Sequence, residues 1–187
     1  MEMEKNEFYF RVLQRYDHYI NLANTKASNT ITLISSLAVA ATGLVGWGMM
    51  GGQADENIIS ISSEKVILIM CFIGFGFFAF KGYLQCMQVI KPNLKPTKDP
   101  STDSKKGQLS TIFYGHVRDF KSTKDFVDAV ENTNEKGRFE DLLSQVHVLA
   151  EITADKMSEY SKVGFWVNFS FIFFLIILLL SFIIRLG

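Results

Sequence analysis

Proline is scarce in this chain: three residues in 187, at positions 92, 96 and 100, leaving long stretches that nothing breaks. There are two cysteines and three histidines. That is too few for a disulfide scaffold or a metal-ligand cluster. Neither sign of charge is in excess, 19 Lys and Arg balancing 19 Asp and Glu. The whole chain therefore has no attraction for nucleic acid or anionic lipid, and any basic site must be local. Catalytic signatures are missing as well: no phosphate-cradling glycine loop ending in Lys-Ser/Thr, no His-Glu-x-x-His and no nucleophile elbow. The expectation is a protein that is not an enzyme and holds no metal or resident cofactor.

What the chain does have is concentrated apolar sequence. Val163–Ile184, Ile31–Met50 and Val66–Phe80 carry no charge. Soluble domains distribute apolar residues periodically, whereas a bilayer span needs about 20 in a row. Three spans are predicted, the second short enough that Lys81 must snorkel towards a headgroup. About thirty polar-rich residues precede the first apolar run, which argues against a cleaved signal peptide. The predicted fold is an all-α membrane protein of three transmembrane helices with long cytoplasmic helical extensions and a short helical hairpin. Its divisions are a cytoplasmic amphipathic helix at 1–28, spans at 29–50, 65–88 and 162–185, an outer loop at 51–64, and a cytoplasmic linker and ligand-sensing region at 89–161.

Basic residues set the orientation. The amino-terminal arm holds Lys5, Arg11, Arg15 and Lys26, and the connector between spans 2 and 3 is rich in Lys and Arg, while Gly51–Glu64 has none and carries Asp55, Glu56 and Glu64. The amino terminus and residues 91–162 are thus expected in the cytoplasm, with Arg185 as an interfacial anchor outside. Cys71 and Cys86 are fifteen residues apart, about 22 Å along a helix and too far for a disulfide. They read as packing residues.

Glu4–Thr25 is amphipathic at helical spacing through Phe8, Val12, Tyr16, Ile20 and Ala23, and no Pro or Gly separates it from span 1. Lys91–Gly107 reads as a linker. Gln108–Phe120 is expected as a helix with Leu109, Ile112, Phe113 and Val117 on one side. Ser122-x-x-Asp125 resembles a capping box opening a short helix through Val130. Asn132–Gly137 is predicted as a turn. From Arg138 a stripe through Phe139, Leu142, Val146, Leu149 and Met157 continues unbroken towards span 3.

Two features point to function. In span 1, Ser28, Thr32, Ser35, Val39, Thr42 and Gly46 lie at alternating steps of four and three, on one face. Small and hydroxyl side chains allow close helix approach and can also line a water path, and both uses stay open. Span 3 has only Asn168, Ser170 and Ser181 and reads as the lipid-facing member. In the connector, six basic residues from Lys91 to Arg118 stand against Asp99 and Asp103, a net of +4 (6 − 2). Tyr114, His116 and Arg118 alternate within it, offering the donors and stacking surface that a phosphate and a base need. Positive-inside bias alone also makes such loops basic.

Four blocks carry a resemblance. Asn24-Thr25-Lys26-Ala27, Val89-Ile90-Lys91-Pro92, Ile112-Phe113-Tyr114-Gly115-His116-Val117 and Asp141-Leu142-Leu143-Ser144-Gln145-Val146-His147-Val148-Leu149-Ala150 with Lys156 resemble, in order, blocks of the Pycsar transmembrane effector family. Asn24 stands where the family pattern has an acid. The resemblance implies bacterial anti-phage defence, in which a partner cyclase or nucleotidyltransferase makes a nucleotide second messenger and the effector compromises the inner membrane. Related Hailong effectors look similar and are channels gated by short oligodeoxynucleotides. The expectation that follows is a homo-oligomeric channel or pore in the bacterial inner membrane, with a cyclic nucleotide or short oligonucleotide as its regulatory ligand. Tyr114, His116, Arg118, Gln145, His147 and Lys156 would bind that ligand, and Ser28, Thr32, Ser35 and Thr42 would line the pore. The alternatives are a SLATT-type membrane effector, or a membrane scaffold that recruits a protein partner through its helices.

Overall fold

The structure, a computed structural model, describes residues 2–50, 63–92, 110–112 and 114–186. Every element among them is helical: α1 (Glu2–Met49), α2 (Ser63–Ile90), α3 (Tyr114–Asp119), α4 (Thr123–Asn132) and α5 (Glu135–Leu186). Three of these helices, α1, α2 and α5, are long and apolar enough to cross a bilayer. Within the bilayer a backbone must satisfy its own hydrogen bonds, and helices do so without help from water. Residues 51–62 of the predicted outer loop and 93–107 of the linker lie outside the described residues.

The chain divides into two compact units: one of residues 1–22 and 92–156, the other of 23–91 and 157–187. The second unit contains the spans, and its buried residues repeat every seven positions. Ala27, Ile34, Ala41 and Gly48 form the line on α1; Leu68, Phe75, Gly82 and Val89 on α2; Val163, Ser170, Ile177 and Ile184 on α5. A strict seven-residue repeat falls short of two full turns of a straight helix, so helices that keep it wind around each other with left-handed twist.

Between helices in a bilayer, close fit rather than water exclusion supplies the attraction. At three glycines that fit is tight. A Cβ on Gly74 would lie 2.6 Å from the Phe173 ring, one on Gly48 would lie 3.1 Å from Leu68 and 3.4 Å from Ser181, and one on Gly82 would lie 3.2 Å from Ile34. Ser170 and Ser181 are fully buried, and Ser170 Oγ donates to the Val167 carbonyl at 2.8 Å. Span 3 is therefore packed along one face, while Phe165, Phe171, Ile172, Leu175, Leu179 and Phe182 on its other faces are exposed, as the lipid-facing reading expects. Its two serines are small enough to let neighbouring helices close on them, and α5 contributes to the core as fully as α2 does.

Polar groups mark the ends of this unit. At one end Arg185 Nη1 donates to the Met50 carbonyl at 3.4 Å, with its guanidinium 5.8 Å from the Trp47 ring centre. An aromatic and a cation at a span terminus are what an interface favours. At the other end Gln85 Nε2 of α2 donates to Glu159 of α5 at 2.6 Å, and Lys162 Nζ reaches the same carboxylate at 2.6 Å.

In the extramembrane unit, Ser122 caps α4 by accepting the Asp125 amide at 3.1 Å, as its spacing predicts. Asn134 caps α5 by accepting the Gly137 amide at 2.8 Å. That cap lets α5 begin at Glu135, three residues before Arg138, and the predicted six-residue turn shrinks to Thr133 and Asn134. The helix predicted over 108–120 is likewise shorter: residues 110–112 are not helical, and only Tyr114–Asp119 is. The reason is hydrogen bonding to a distant side chain, taken up below.

Candidate functional site

The extramembrane unit organises around Asp141, on the first turns of α5. Its carboxylate accepts Ser110 Oγ at 2.6 Å, the Thr111 amide at 2.9 Å and Thr111 Oγ1 at 3.2 Å. Hydroxyl and carboxylate side chains that bond nearby backbone offer the chain an alternative to helix. Here they hold residues 110–112 out of helix and beside α5, which is why α3 starts late.

Two of the sequence-predicted ligand residues meet on this clamp. His116 Nδ1 accepts the Ser110 amide at 3.2 Å, so a neutral ring carries its proton on Nε2. Gln145 Nε2 lies 3.4 Å from Ser110 Oγ, and Gln145 is only 8% exposed. Gln145 is one turn after Asp141, so both stand on the same face of α5. Lys156 is eleven residues further on, in line with that face at a distance of about 16 Å. It is 7% exposed, and burial lowers its pKa from the usual lysine value.

The other predicted residues are placed apart. Arg118 is exposed and pairs with Asp119, the next residue, at 3.3 Å. His147 is exposed and sits 3.3 Å from Glu151, one turn on; two residues from Gln145, it faces another direction. Tyr114 opens α3. Sequence reasoning missed Ser110, Thr111 and Asp141 as members of the cluster. The signal available was the four-residue step from Asp141 to Gln145, together with two hydroxyl residues immediately before the Ile112–Val117 block.

The hydroxyl face of α1 is clearer. Ser28, Thr32, Ser35, Val39 and Thr42 are all exposed, whereas Ala27, Ile34 and Ala41, on the other side of the helix, are buried against the chain's own spans. Thr32, Ser35 and Thr42 donate to the carbonyls four residues earlier, at 3.2, 2.9 and 2.8 Å. Each hydroxyl thus has its proton satisfied within α1 and keeps acceptor capacity on the surface. Packing among the described residues does not use this face.

A three-span helical membrane protein with an extramembrane helical unit is the class these features define. The family described as Pycsar effector protein domain matches residues 8–186, and the chain belongs to it: it is a membrane effector of anti-phage defence. The Pycsar effector protein EcPycTM of Escherichia coli is 23% identical over 189 residues, covering 98% of this chain and 96% of that protein. No solved structure matches the chain.

Proposed function

We propose that this effector is a homo-oligomeric, nucleotide-gated channel or pore of the bacterial inner membrane, with its amino terminus and extramembrane unit in the cytoplasm. The observation that carries the proposal is the exposed hydroxyl face of α1. Three spans cannot enclose a water path alone, and a seam of Ser and Thr at bilayer depth favours water or another copy over lipid. Ser28, Thr32, Ser35 and Thr42 line the path in this reading.

The regulatory ligand is a nucleotide second messenger from a partner cyclase or nucleotidyltransferase. Tyr114, His116, Arg118, Gln145, His147 and Lys156 are the residues proposed to sense it. Arginine and lysine supply the charge-assisted donors for phosphate, and the aromatic and imidazole rings supply a stacking surface. Because α1 and α5 each run unbroken from this region into a span, a shift at the ligand site is transmitted as movement of whole helices. Converting a mostly closed population to a mostly open one requires roughly 10⁴-fold preference of ligand for the open state.

The test is ion flux through purified protein in liposomes, with cyclic mononucleotides, cyclic dinucleotides and short oligodeoxynucleotides added in turn. Flux that responds to one ligand supports the proposal. Absence of flux with every ligand, from protein shown to be folded and oligomeric, overturns it. Thr42→Leu should lower the single-channel current if this face lines the path.

A further inference from the structure

Burial along α1 keeps one register over its length. From Tyr9, in alternating steps of four and three through Tyr16, Ala23 and Ala41 to Gly48, no residue is exposed. From Glu7, in the same steps to Thr42, every residue is exposed, and the next, Gly46, is partly covered. The second line contains the hydroxyl face already described and extends it, without a change of step, through Thr25, Asn21, His18 and Gln14. A straight α-helix drifts about 20° per seven residues against such a repeat, roughly 110° over the distance from Glu7 to Gly46. The exposed side of α1 is wider than that and also takes in Arg15, Tyr19 and Leu22, so it is composition that sets this line apart.

The composition of the line is as consistent as its exposure. Its only permanently charged members, Glu7 and Arg11, pair with each other at 2.6 Å. Between Gln14 and Gly46 it carries amide, imidazole, hydroxyl and small side chains, with Val39 the sole larger aliphatic. Elsewhere the extramembrane part of α1 exposes bulky apolar groups such as Phe8, Phe10 and Leu22.

We propose that α1 lines the water path beyond the bilayer: Gln14, His18 and Asn21 of each copy surround an extramembrane vestibule in line with Thr25 and the hydroxyl face. This rests on the proposal that Ser28–Thr42 face a pore. It adds that ions traverse the extramembrane unit along α1 rather than entering at the membrane surface. The lining presents one imidazole per copy and no net fixed charge.

The experiment uses the full-length protein with Cys71→Ala and Cys86→Ala, carrying one of Thr42→Cys, His18→Cys, Asn21→Cys or Tyr19→Cys, in liposomes with the same ligand panel. Flux is measured before and after a permanently cationic methanethiosulfonate, with labelling confirmed by mass. Tyr19 is exposed but is neither three nor four residues from any member of the line, so it points away from it. A ring of added positive charge in a narrow path should cut cation flux about tenfold. The expected result is such a loss at Thr42→Cys, His18→Cys and Asn21→Cys, and none at Tyr19→Cys. Block at Thr42→Cys with neither His18→Cys nor Asn21→Cys affected overturns the vestibule and leaves the membrane pore standing. No block at Thr42→Cys overturns the pore, and the vestibule with it. Equal block at Tyr19→Cys and His18→Cys shows that no one face lines the path and overturns the vestibule.

Discussion

Asp141 and Thr111 are bonded twice, through the Thr111 amide at 2.9 Å and its hydroxyl at 3.2 Å, both to Oδ2 of the same carboxylate. With Ser110 on Oδ1 at 2.6 Å, this single side chain fixes the segment that leads into α3 and holds His116 and Gln145 about Ser110. Charge-assisted hydrogen bonds are stronger than neutral ones, and removing one partner leaves the others unsatisfied. Asp141→Asn should therefore weaken this attachment by about 1–3 kcal/mol. Faster hydrogen exchange at the Thr111 amide, with the spans unchanged, is the expected readout. Unchanged exchange would show that the clamp is not what holds the segment.

Arg118 offers the opposite case. It is exposed and tied to Asp119, its neighbour in sequence, so the fold does not depend on it. If it receives a nucleotide phosphate, Arg118→Ala removes a charged contact of about 1.5–3 kcal/mol, roughly 10- to 100-fold in affinity. Assembly should be preserved while the flux response moves to higher ligand concentration. An unchanged dose response takes Arg118 out of the site.

Much of this architecture is legible in the residues themselves. The uncharged runs fix the number of spans, the lack of Pro or Gly before span 1 fixes the unbroken α1, and Ser122-x-x-Asp125 fixes the start of α4. The shortening of α3 was not legible, because its cause is a carboxylate on Asp141, about thirty residues away, and periodicity within a segment carries no information about that. The burial of Ser170 and Ser181 escaped for a related reason: a lone serine in an apolar run looks the same whether it faces lipid or a neighbouring helix. Only the seven-residue spacing from Val163 through Ser170 and Ile177 to Ile184, with Ser181 one turn after Ile177, distinguishes the two, and it shows once the partner helices are seen to keep the same repeat. At the candidate ligand site, residue chemistry pointed to His116 and the family resemblance to Gln145, but nothing local joined them to Ser110.

Glu159 gives the α2–α5 contact a pH dependence. The hydrogen bond from Lys162, and secondarily that from Gln85, hold its carboxyl below the usual carboxylate range, although burial acts the other way. A carboxyl with a lowered folded pKa adds stability that is fully present above its unfolded pKa and lost as pH falls through the folded value. Thermal stability of the wild type in detergent should thus fall between neutral and acidic pH by more than that of Glu159→Gln. Parallel curves would mean that the contact contributes nothing to stability.

Gly74 tests whether tight fit holds the spans together. A Cβ there meets the Phe173 ring at 2.6 Å, and the ring is itself stacked on Phe78 at 5.5 Å between centroids. Room for a larger side chain has to come from separating α2 and α5. Overpacking of this kind costs about 1–3 kcal/mol. Gly74→Val should lower the melting temperature in detergent, and Gly76→Val, where a Cβ meets nothing within 4 Å, should not. Equal effects would assign the loss to helix propensity rather than to packing.

Ser181 should behave in the opposite sense. It is fully buried, and its hydroxyl has no hydrogen-bond partner among the described residues. An unsatisfied buried polar group costs about 1–3 kcal/mol. Its small Cβ is what Gly48 packs against, and alanine keeps that Cβ while removing the oxygen. Ser181→Ala should accordingly be neutral to stabilising by about 1 kcal/mol, read as a raised melting temperature in detergent, with Ser181→Leu destabilising because it drives Gly48 away. A clear loss of stability in Ser181→Ala would mean that the hydroxyl is bonded in the assembled protein, and the natural donor or acceptor would then be a second copy of the chain.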